Sequence, residues 1–167
     1  MRKLLFLFVV MWLVACSSID CPVQNIVSVQ YAFCDHKGKE YEIKNYMTIY
    51  TQRGDGSNDT IMNLVSDISA FSLPISYSHP EDFFVFVFSD DIIFADTDSP
   101  DVDIDTVWIK KNDIPHFESV DCNASFFHEI TDVRYTRHFI DSLVLLNNSV
   151  TYDQQTIHFR LVPKNSN

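Results

Sequence analysis

The sequence predicts an all-β fold: an immunoglobulin-like β-sandwich with extra strands, or as the alternative a small β-barrel. Apolar residues recur with period two or in unbroken runs of four to six, almost never with the 3.6 period of a helix. Turn-forming residues punctuate these runs at spacings that suit short strands. A simple domain of this kind spans about 100 residues, so a chain of 167 carries additional strands or long loops.

The first expected strand, 25–34, sends Val27, Val29, Tyr31 and Phe33 inward against Ser28, Gln30 and Ala32. His36-Lys37-Gly38 turns the chain into a strand at 41–51, and Gly54-Asp55-Gly56 separates that from 59–66. A strand at 69–76 follows. Strand 82–88 contains Phe83-Phe84-Val85-Phe86-Val87-Phe88, apolar on both faces, and is expected to be central and fully covered. Ser89-Asp90-Asp91 turns into Ile92-Ile93-Phe94, in a strand at 91–95, and Ser99-Pro100 marks the next turn. The remaining strands are expected at 104–110, 115–121, 125–136, 139–146 and 155–162. In the last of these Ile157, Phe159 and Leu161 face inward, opposite His158 and Arg160.

The N-terminus carries a different signal. Arg2 and Lys3 precede an apolar stretch from Leu4 to Leu13, about ten residues, which suits a signal peptide and not the ~20 residues of a membrane span. Leu13-Val14-Ala15-Cys16 matches the lipobox of bacterial lipoproteins. Residues 1–15 are thus expected to be cleaved and Cys16 to carry lipid, palmitate included, with 16–24 as a tether. Two or more acyl chains give stable anchoring where one is marginal. Ser17 and Ser18 follow, without the Asp that retains enterobacterial lipoproteins in the inner membrane, and without an acidic surface-export run. The expected location is the outer membrane, on its periplasmic face.

Residues 25–163 are then one domain and 164–167 a tail. The net charge of −11 becomes more negative once Arg2 and Lys3 are removed, which argues against nucleic acid as a partner. Phe is abundant at 14 and Gly scarce at 3, which excludes glycine-rich phosphate loops. Beyond Cys16, three cysteines remain: Cys21, Cys34 and Cys122. They allow three pairings, among which spacing does not choose. Cys34 ends a strand and reads as a small buried residue. Asp96, Asp98, Asp101, Asp103 and Asp105 offer oxygen ligands of the kind calcium takes, but lack the glycine and closing Glu of an EF-hand loop. The run is read as a solvated acidic loop beside an edge strand, with Asp101, Asp103 and Asp105 on one strand face.

No other chemistry stands out. His116, His128 and His138 are loosely grouped, and His128-Glu129 lacks the second histidine of a zinc motif. No Gly-x-Ser-x-Gly elbow occurs, and Cys34 sits between Phe33 and Asp35 with no cation to activate it. No enzyme, cofactor or metal is expected. Three triplets recur: Asp59-Thr60-Ile61, Asp105-Thr106-Val107 and Asp141-Ser142-Leu143 each open an expected strand. They match the O-glycosylation sequon of Bacteroidetes, so Thr60, Thr106 and Ser142 are candidate sites. Strand grammar alone also produces them.

Four segments in order, Cys16-Ser-Ser-Ile-Asp-Cys21-Pro22, Ser72-Leu73-Pro74-Ile75, Phe117-Glu-Ser119-Val-Asp-Cys122 and Ile140-Asp141-Ser142-Leu143, carry a resemblance that spans the mature chain. It resembles an uncharacterised, domain-of-unknown-function family of small Bacteroidetes envelope lipoproteins. The resemblance implies an envelope β-domain with a Cys21–Cys122 disulfide and Cys34 free, and it brings no activity. The expected function is a non-catalytic envelope lipoprotein that binds or scaffolds an envelope protein or glycan. A carbohydrate-binding accessory protein, suggested by the aromatic content, is the alternative, and a hydrolase ranks below both.

Overall fold

A computed structural model of the chain describes residues 27–91, 101–117 and 125–166, which contain ten strands and no helix. In chain order these are β1 (Ser28–Phe33), β2 (Tyr46–Gln52), β3 (Asn58–Val65), β4 (Ala70–Pro74) and β5 (Glu81–Ser89). They continue with β6 (Val102–His116), β7 (Ser125–Tyr135), β8 (Ile140–Leu145), β9 (Ser149–Val150) and β10 (Phe159–Pro163). They form a four-stranded sheet, β4-β1-β10-β8, and a six-stranded sheet, β3-β2-β5-β6-β7-β9. Neither sheet closes on itself, so the fold is a sandwich and not a barrel. All pairs are antiparallel except β1 with β10, which run parallel.

The core lies between the sheets and is largely phenylalanine. Tyr31 of β1 stacks between Phe71 and Phe159, at 4.8 and 5.2 Å, and meets the edge of Phe86 across the sandwich at 6.3 Å. Phe88 stacks on Phe139 at 3.9 Å. Flat rings fill a thin interlayer with few side chains, and each one buried contributes roughly 1.5–3 kcal/mol of transfer free energy. The alternation expected for β1 and β10 holds, with Val29, Phe33, Phe159 and Leu161 fully buried. The outward residues Ser28, Gln30 and His158 are buried too, because the segment before β10 folds over them. Gln30 N donates to His158 Nδ1, and its side chain donates to Ser28 and Gln154.

Three expectations are corrected. The strand expected at 104–110 and the start of the one expected at 115–121 are a single strand, β6, because Asn112-Asp113 continues the ladder against Glu129 and His128 instead of turning, while 118–121 lie outside the described residues. The expected strand 41–51 pairs only from Tyr46; before it, the isolated bridge Ile43↔Ile68 marks where the chain passes between sheets. β5 is central, but its outer residues Phe83, Val85 and Val87 are only half-buried. Near the last described residues, Lys164 Nζ donates to Arg137 O, and Ser166 is fully buried. The expected strand 91–95 lies almost wholly outside the described residues. The turns at His36-Lys37-Gly38 and Gly54-Asp55-Gly56 form as expected, with Gly38 and Gly56 supplying the positive φ each one needs.

Candidate functional site

One end of the sandwich gathers both exposed aromatic surface and buried charge. The β4–β5 loop supplies Tyr77, which is 66% exposed and stacks flat on Phe126 at 4.9 Å. Where β6 pairs with β7, register sets Ile114 opposite Phe127 and Pro115 opposite Phe126. Ile114 is 48% exposed and Phe117, just past β6, is 70% exposed. On the other face of this ribbon His116 stacks on Phe127 at 4.2 Å, and both meet the edge of Tyr152. Large side chains exposed in one cluster mark contact surfaces more often than isolated ones do.

Beneath that surface lies an ionic cluster. Val107 and Ile109 face the core, and the same period-two phase carries Lys111 and Asp113 inward on β6. The Lys111 side chain is completely buried. Its Nζ donates to His79 O at 2.7 Å and Asp113 Oδ1 at 2.9 Å, and lies 3.8 Å from Asp82 Oδ2. His128 of β7 places Nδ1 2.6 Å from Asp113 Oδ1. Asp82, at the start of β5, accepts from the Ser76 backbone N–H at 2.9 Å.

The environment drives the two carboxyls apart. Burial raises Asp82, and the Ser76 N–H, Lys111 and His128 only partly oppose it. Burial also pushes Asp113 upward, but hydrogen bonds from Lys111 and His128 overcome it and hold that carboxyl below its usual range. Burial lowers His128 despite its bond to Asp113, which favours a neutral ring donating Nδ1–H. Tyr31 Oη, buried on the facing sheet, has no hydrogen-bond partner among the described residues, and burial, with Asp82 second, pushes the phenol well up. Among the described residues no group of His, Cys, Asp or Glu is arranged to hold a metal.

The candidates named from sequence are dispersed. Cys16, Cys21 and Cys122 lie outside the described residues, as do Asp96 and Asp98; Cys34 is buried and free. Thr60 is exposed on β3 and Thr106 half-buried on β6. Both sit on the outer face of the six-stranded sheet, in one cross-strand row through Tyr50 and Val85. Ser142 is half-buried on β8, in the other sheet. Asp105 departs from the expected pattern. It sits within β6, not at its start, and it is fully buried, not part of a solvated acidic loop. Its carboxylate accepts from Thr136 Oγ1 and from the backbone N–H groups of His138, Phe139 and Ile140, at 2.7–2.8 Å. It thereby caps the β7–β8 turn. Trp108 is half-buried with the Arg134 guanidinium 5.3 Å above its ring, so it is not an open stacking platform.

Lys111, Asp113 and Asp82 were not singled out from sequence. The signal was present, since counting by twos from Val107 reaches Lys111 and Asp113, but it was lost when the strand was ended at residue 110. No curated protein and no solved structure matches this chain. Residues 46–163, from the start of β2 to the end of β10, match the family of unknown function DUF6452. That match covers more than half of the sequence, and the chain belongs to this family.

Proposed function

We propose that the chain is a non-catalytic, lipid-anchored binding domain of the bacterial cell envelope, of the Bacteroidetes lipoprotein kind, that docks another envelope protein through its aromatic end. The single observation behind the docking surface is the exposure of Tyr77 and Phe117 beside the Tyr77–Phe126 stack. The anchor rests on Leu13-Val14-Ala15-Cys16, and the outer membrane's periplasmic face on the residues after it. A non-catalytic role is supported by the burial of Lys111 and His128, which keeps the charged groups away from any external substrate.

Photo-crosslinking residues placed at Tyr77 and Pro115, which faces Phe126 and is exposed, should give one discrete adduct in the native host, absent from a probe at exposed Lys44 and abolished by Phe117→Asp. Adducts equal from all three positions, or none, would reject the aromatic end as the docking surface. For the anchor, Cys16→Ala should remain unprocessed and take up no labelled palmitate. Cys21 and Cys122 should emerge linked in a non-reducing peptide map, a bridge worth roughly 4–5 kcal/mol on the chain-entropy estimate for a loop of about a hundred residues.

A sugar-binding reading has one observation in its favour, the open flat face of Tyr77. In that case Tyr77→Ala would abolish retention on a glycan matrix.

A further inference from the structure

We propose that the Lys111 amine and the Asp82 carboxyl condense into an intramolecular isopeptide bond, tying β5 to β6 beneath the aromatic end. Lys111 and Asp82 project inward from adjacent antiparallel strands as diagonal neighbours, since Asp82 is in register with Ile109. No part of the Lys111 side chain reaches solvent, and its Nζ is 3.8 Å from Asp82 Oδ2. Two further bonds restrict the amine, to His79 O and to Asp113 Oδ1. Groups confined in this way react at effective concentrations far beyond those in solution.

The cluster also holds what condensation requires. Asp113 Oδ1, 2.9 Å from the amine, takes its proton and leaves a neutral nucleophile. The nitrogen then attacks Asp82 Cγ. The Ser76 N–H, already on Oδ2 at 2.9 Å, stabilises the oxyanion that develops there. Asp113 returns that proton to the departing hydroxyl and takes the second proton that the nitrogen sheds, so that the Nζ–Cγ bond forms, the Cγ–OH bond breaks, one water leaves and Asp113 ends protonated. No oxidant or reductant takes part.

Burial favours the uncharged, electrophilic form of Asp82, while Asp113 is held ionised, the pairing of states that acid–base work requires. A plain buried ion pair accounts for the Lys111–Asp113 contact. It does not account for a second carboxyl, one that burial pushes up, held by a main-chain donor beside an amine with no route to solvent.

The test is peptide mapping of the folded wild-type protein. The expected product is one branched peptide that joins the segments containing Asp82 and Lys111, lighter than their sum by one water. Asp82→Asn should give the same branch, lighter by one ammonia. Asp82→Ala and Lys111→Met should give separate linear peptides. Asp113→Asn should slow formation of the branch by roughly 100-fold or more. Recovery of the two wild-type peptides unlinked would overturn the proposal, whether or not any variant folds. So would a water loss confined to the Asp82 peptide, which signals a cyclic imide.

Discussion

Strand β6 carries two inward carboxylates eight residues apart, and they are satisfied in opposite ways. Asp105 accepts from three consecutive main-chain N–H groups and one threonine hydroxyl. Asp113 accepts from a lysine and a histidine. Three of the four donors in the first set belong to the backbone and survive side-chain substitution. The second consists of side chains that titrate, move and can be replaced. One strand thus holds a rigid structural cap at one end and chemically adaptable charge at the other, below the exposed aromatic surface.

The largest expected effect separates the two directly. In a Lys111→Met background, where neither a buried ammonium nor a bond to Asp82 is present, Asp113→Asn should change stability by no more than about 1 kcal/mol, because the amide oxygen still accepts from His128. In the same background Asp105→Asn should cost about 3 kcal/mol, since its NH₂ would face main-chain donors and orphan one or more of them. Urea midpoints at fixed slope measure both. Equal costs would break the comparison.

A second, smaller effect is pH dependence. The folded-state pKa of His128 lies below its ordinary value of 6.5, so the unfolded chain binds the extra proton first. Stability should therefore fall as pH drops below about 6.5, by roughly 1.4 kcal/mol per pH unit until the folded ring also protonates. His158 shifts the same way through burial. In Lys111→Met, where Asp82 stays a free carboxyl, it opposes them, because a raised carboxyl contributes stability at low pH that is lost as pH rises. His128→Gln should flatten, but not abolish, the acid limb of a plot of melting temperature against pH. An unchanged limb would show that the ring is not held neutral by its site.

The smallest effect tests the cap from outside. Arg137 pairs with Asp141 across the turn that Asp105 holds from within, but both side chains are substantially exposed. Arg137→Ala should cost no more than about 0.5 kcal/mol in the same denaturation assay. A loss comparable to that of Asp105→Asn would mean that the surface pair, and not the buried carboxylate, fixes the turn.

Much of the architecture was legible from residue order. Alternation placed β1 and β10 on their correct faces, and the glycine-bearing turns at His36-Lys37-Gly38 and Gly54-Asp55-Gly56 fell where expected, because local chemistry fixes such turns whatever they pack against. The candidate site was less legible. Asn112-Asp113 has the composition of a turn, and only the partners on β7 reveal a strand. Asp105 looked like a member of an acidic run for a similar reason: its donors lie some thirty residues further along.

By itself the sequence determined the all-β class and the period-two core, since each is written in short-range pattern. Tertiary structure alone decided the ten-strand order with its parallel β1–β10 pair, the inward turn of Lys111 and the meeting of Asp82, Asp113 and His128. A charged residue on a strand carries no local mark of whether it will be buried. Its burial is tolerable only because partners distant in sequence arrive with it, and that is a property of the folded chain.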